Sequence, residues 1–142
     1  MNLASRVLTA FAAMLMMSAC GEPSSSERFI ISDGTGEYEF PVEFSDTAAI
    51  YDLSFYTAID KPLKRVDQPG SFPMELLWQA PSGRCFTETV HYPVASSKVL
   101  YRKDVEPGEM GEWKLRVSVA SEPRGLRGLG LEVVRKPNPK MQ

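Results

Sequence analysis

Cys20 is the residue whose neighbours fit a defined covalent chemistry. It closes the run Met17-Ser18-Ala19-Cys20-Gly21. Residues 7–17 are uncharged and largely apolar, and Arg6 with the amino terminus makes the start positive. The apolar stretch is too short to span a bilayer, which takes about 20 residues. It has the length of a secretory h-region. Small side chains at Ser18 and Ala19 then precede Cys20, a thiol that lipid could modify. The alternative is an ordinary secretory signal cut near Ala19, with the cysteine unmodified.

Other residues capable of chemistry are sparse. His91 is the sole histidine, so any histidine-dependent triad must use it, and no Gly-x-Ser-x-Gly turn supplies a nucleophile. Zinc sites draw on several His or Cys ligands, which this composition does not offer; no metal and no cofactor is expected. Cys85 is the second of 2 cysteines and reads as a small apolar filler in a strand. Asp33-Gly34-Thr35-Gly36-Glu37 lacks the twelve-residue spacing of an EF-hand loop and reads as a β-turn. Gly125-Leu126-Arg127-Gly128-Leu129-Gly130 is followed by a strand pattern, where a dinucleotide fingerprint would need a helix. Its glycines imply a bulge or close packing. An enzyme would need convergent carboxylates such as Glu75 and Glu88. A glycan-binding protein would need solvent-facing rings, with Tyr56, Trp78 and Tyr92 as the candidates. Neither is the leading expectation; the chain reads as non-enzymatic.

The context of Cys20 resembles the bacterial lipobox, with Met17 in place of the usual Leu. That resemblance implies a palmitate-type lipoprotein with three acyl chains on Cys20. Two membrane signals already anchor stably, so three hold the protein at the membrane. Gly21 is not the Asp that commonly retains such proteins in the inner membrane, so the expected address is the outer membrane of the cell envelope.

Removal of residues 1–19 leaves 123 of the 142, with 15 basic against 18 acidic side chains. That is one domain and a tether. It is large enough to bury about two-thirds of its unfolded surface without a staple. The charge balance argues against a nucleic-acid partner, which would need a basic stripe. The expected division is a signal peptide at 1–19, lipidated Cys20 with a flexible linker to 27, a β domain at 28–136 and a tail at 137–142.

The domain must be built from strands. Tyr38, Phe40, Val42 and Phe44 alternate with Glu37, Glu39, Pro41 and Glu43, which places rings on one face and carboxylates on a solvated one. Pro41 points to an edge strand or a bulge. Tyr51, Leu53, Phe55, Thr57 and Ile59 alternate next, at a density suited to a central strand. Residues 60–71 form a long polar loop with Lys61, Lys64 and Arg65, a candidate partner contact. Met74, Leu76 and Trp78, the turn Pro81-Ser82-Gly83, then Phe86, Val90 and Tyr92 read as a hairpin. Further strands follow at Val99/Tyr101/Val105, at Trp113/Leu115/Val117/Val119 and at Leu129/Leu131/Val133. Seven or eight short strands with turns between them point to an antiparallel β-sandwich.

The order of these pieces is similar to one family. The pieces are Phe44-Ser45-Asp46-Thr47, Ile50-Tyr51-Asp52-Leu53-Ser54-Phe55-Tyr56, Leu76-Leu77-Trp78, Pro81-Ser82-Gly83 and Thr87-Glu88-Thr89-Val90. After them come Val99-Leu100-Tyr101-Arg102-Lys103-Asp104-Val105, Gly111-Glu112-Trp113-Lys114-Leu115 and the Gly125 to Val133 run. Over residues 40–136 the chain resembles the gliding-motility lipoprotein H family of Bacteroidota. The segment after the hairpin, Pro93-Val94-Ala95-Ser96-Ser97, is shorter than is usual there. The resemblance implies a non-enzymatic accessory of the gliding motility apparatus, which is linked to type IX secretion, acting on other envelope proteins. It carries over no catalytic residue, only Cys20 as lipid acceptor.

Overall fold

A computed structural model describes residues 24–60 and 70–141. Among these described residues eight strands run in chain order: β1 Ser24–Ile31, β2 Glu37–Phe44, β3 Ala49–Ile59, β4 Ser71–Gln79, β5 Cys85–Pro93, β6 Lys98–Val105, β7 Gly111–Ser118 and β8 Leu126–Pro137. They form two four-stranded antiparallel sheets, ordered β1-β8-β3-β6 and β2-β7-β4-β5. The fold is the expected β-sandwich.

Period-two alternation decides which side chains meet between the sheets. Tyr38, Phe40, Val42 and Phe44 are buried, and the alternating Glu37, Glu39, Pro41 and Glu43 are exposed. Pro41 lies on an edge strand, where its missing N–H breaks no ladder on the open side. β3 is interior and contributes Tyr51, Leu53 and Phe55 to the core. Met74, Leu76, Leu115, Val117 and Leu129 are almost wholly enclosed. Burial of this kind stabilises by about 1.5–3 kcal/mol per large side chain.

Two domain boundaries differ from expectation. Ser24, Ser25, Ser26 and Glu27, assigned to the linker, belong to β1 and pair with Arg135, Val134, Val133 and Glu132. Their side chains are exposed, so the strand is held by backbone bonds along an edge and shows no apolar alternation. At the other terminus Pro137 closes β8, and Asn138, assigned to the tail, is buried. The Asn138 backbone N–H donates to the Ala48 carbonyl at 2.9 Å, and a 3-10 turn, Pro139–Met141, follows.

The sandwich has two distinct ends. One gathers the start of β1, the turn between β4 and β5, the β6–β7 connection and the end of β8. The other gathers the β1–β2 turn, the β5–β6 connection and the strand ends joined by residues 61–69. That basic segment, residues 61–69, lies outside the described residues, as do Cys20 and the signal segment at 1–19.

Candidate functional site

An apolar cleft lies between the sheets at the end where β1 begins. β5 and β6 are both edge strands, each paired on one side only. Between them a cleft of about 290 Å³ is lined by Phe44, Trp78, Phe86, Tyr101 and Trp113, with Arg102 and Glu106 among its polar residues. Trp78 lies nearly parallel to Phe86, with centroids 6.3 Å apart, and Trp113 stands edge-on to both. The Trp78 indole N–H donates to the Tyr101 hydroxyl at 3.2 Å, and the Trp113 indole donates to the Glu109 carbonyl at 3.0 Å. Both indoles are thereby fixed, as buried Trp N–H groups require. Phe86 remains 49% exposed although its register with Trp78 turns it inward. An aromatic side chain pointing at the core but left half wet marks an open rim.

Arg102 reaches from β6 to Glu88 on β5 and donates to its Oε2 at 2.6 Å, with the guanidinium 5.2 Å from the Tyr101 ring centroid. The second carboxylate oxygen, Oε1, is buried without a hydrogen-bond partner. This arrangement can hold an apolar body and present charge at its mouth. Among the described residues no group of three or more His, Cys, Asp or Glu is disposed to hold a metal ion.

The remaining residues of interest are dispersed. Glu75 and Glu88 do not converge: their strand positions place Glu75 on the outer face and Glu88 on the inner one. Cys85 is exposed at the start of β5, correcting the expectation of a buried filler. Its register with the exposed Gln79 turns it outward. His91 lies exposed on that same outer face, opposite Pro73. Asp33 accepts from the Thr35 N–H at 3.0 Å and from its hydroxyl at 2.6 Å, which makes a local turn before β2. These bonds hold the Asp33 carboxyl below its usual range.

Of the three rings proposed for sugar contact, Tyr92 and Trp78 are enclosed at 0% and 4% exposure. Tyr56 is the one on an outer face. There its ring lies beside that of Phe29, 5.8 Å between centroids and 23° from parallel. Burial, and then the charges of Glu27 and Glu132, push the Tyr56 hydroxyl up from its ordinary value. Phe29 was not singled out from the sequence, because only strand register brings it beside Tyr56. No helix among the described residues is long and apolar enough to cross a membrane.

No family model matches the chain. No curated protein matches it. Among solved structures, it is similar to the carbohydrate-binding module TmCBM61, determined in complex with β-1,4-galactotriose. The TM-score is 0.39 at 14% identity, over 84% of this chain and 90% of that one.

Proposed function

We propose that this chain is a lipid-anchored protein of the bacterial cell envelope, at the outer membrane, that binds other envelope proteins and performs no catalysis. The observation that carries the reading is the aromatic cleft between the unpaired edges of β5 and β6. Edge backbone offers hydrogen bonds to an extended segment, and the cleft offers a socket for its side chain. Lipid on Cys20 would concentrate the domain beside its partners. A role as an accessory of a gliding-motility apparatus follows from the family resemblance.

Mass spectrometry of the native amino-terminal peptide tests the anchor: a triacylated Cys20 is expected, and a free cysteine overturns it. A photo-crosslinking residue at Phe86 tests the contact. Adducts with one envelope protein are expected from Phe86 and not from Glu112 on the far face. Equal labelling from both positions defeats the cleft.

A second reading, a glycan-binding surface lipoprotein, is favoured by the Phe29–Tyr56 pair on the outer face of the β1-β8-β3-β6 sheet.

A further inference from the structure

Four residues form a line across that outer face, one from each strand: Phe29, Gly130, Tyr56 and Lys98. The glycines of β8 determine how the two rings lie. A Cβ built on Gly130 would collide with three atoms of the Tyr56 ring, and one on Gly128 would stand 2.7 and 2.9 Å from two atoms of the Phe29 ring. Each ring therefore rests directly on the β8 backbone and turns its other side away from the sandwich. Phe29 remains 39% exposed. Together they make a nearly level floor two rings wide.

The neighbouring line carries hydrogen-bonding groups. Glu27 and Glu132 face each other across β1 and β8. Lys98 Nζ donates to both Glu132 oxygens, at 2.8 and 2.9 Å. That bond raises the Lys98 ammonium and lowers the Glu132 carboxyl from their ordinary values, so these two are ionised at neutral pH.

We propose that Phe29 and Tyr56 are a stacking platform for a neutral pyranose chain, with Glu27, Glu132 and Lys98 along its border engaging the hydroxyls. This rests on the glycan-binding reading and adds to it a location and a ligand class. The electron-rich ring faces attract the slightly positive C–H groups on the apolar side of a sugar ring. Ionised carboxylates accept strong hydrogen bonds from hydroxyls. The Glu27/Glu132 pair repels uronate, sulfate and phosphate groups, so the platform selects against acidic glycans. The glycine floor holds both rings before any ligand arrives, which limits the ordering cost of binding.

The test is affinity electrophoresis of the full chain in detergent through gels containing galactan, glucomannan, hydroxyethylcellulose or polygalacturonate. Retardation by at least one neutral polymer and none by polygalacturonate is expected. Tyr56→Leu covers Gly130 but removes the ring, and should weaken binding by about tenfold, as should Phe29→Leu, one factor of ten being about 1.4 kcal/mol. Tyr56→Phe, which keeps the ring, should restore the binding lost in Tyr56→Leu, and Glu112→Gln, on the other sheet, should bind as wild type. Melting temperatures of all variants establish that they fold. Undiminished binding by the folded leucine variants, or retention by polygalacturonate alone, overturns the platform and leaves the glycan reading standing. No retardation in any gel removes both.

Discussion

The Tyr38 hydroxyl donates to Glu122 Oε1 at 2.6 Å, joining residues far apart in the chain. The Ser32 hydroxyl donates to the other oxygen at 2.7 Å. One carboxylate thus fastens the β7–β8 connection to the β1–β2 turn. Burial, and then the hydrogen bond to Glu122, push the Tyr38 hydroxyl up to about 12 from 10.0. A raised value in the folded state means that folding favours the protonated phenol. Its contribution is complete below pH 10 and is lost as pH rises through about 12. Urea unfolding across that window should show the decline, and Glu122→Gln should reduce stability by about 1–2 kcal/mol at neutral pH. An unchanged alkaline profile in Glu122→Gln would mean that the bond contributes nothing to it.

Gly130→Ala and Gly36→Ala should both destabilise, but only the first should be rescuable. The Gly130 obstruction is the Tyr56 ring, a side chain that can be removed. At Gly36 the obstruction is the Val119 backbone carbonyl, and φ is +77° as well. Each single change should cost more than about 2 kcal/mol. Adding Tyr56→Ala should recover much of the Gly130→Ala loss, a coupling that a double-mutant cycle reads directly. No side-chain truncation should recover Gly36→Ala.

Leu115→Ala, at a side chain with 0% exposure in the middle of β7, should cost about 2–5 kcal/mol in chemical denaturation. A smaller loss would show that the two sheets close the cavity by moving together.

The Glu88–Arg102 pair should add little to stability. Arg102 is 55% exposed and one Glu88 oxygen is buried without a partner. Glu88→Leu should lie within about 1 kcal/mol of wild type or be more stable, because it removes a poorly satisfied carboxylate from an apolar rim. Arg102→Ala, which strands that carboxylate, should be the more harmful change.

Cys85 should react with a thiol reagent in the folded protein at a rate close to that of a small-molecule thiol, since its side chain is exposed. Protection lifted only by denaturant would place it inside the domain.

Strands with one wet and one dry face were legible in the residues. β2, β4 and β7 alternate cleanly, and their inward residues are the buried ones. β1 was missed at Ser24–Glu27, because an edge strand held by backbone bonds has no dry face to advertise. The orientation of Phe86 was correct, but its exposure follows from the gap between β5 and β6, a property of sheet order. Tyr56 was a named candidate for sugar contact, yet its flat pose depends on Gly130 directly across from it on β8. Pairing between strands so distant in the chain is set by the assembled core, and no local pattern encodes it.

β1 begins at Ser24, with only Gly21, Glu22 and Pro23 between it and Cys20. At about 3.6 Å per residue this leash reaches no more than about 14 Å, roughly half the height of an eight-residue strand. Acyl chains on Cys20, as proposed above, would keep the cleft end towards the bilayer and the strand ends flanking residues 61–69 away from it. A partner for the cleft would then approach sideways, along the membrane plane, whereas anything diffusing in from the aqueous side would meet the opposite strand ends first.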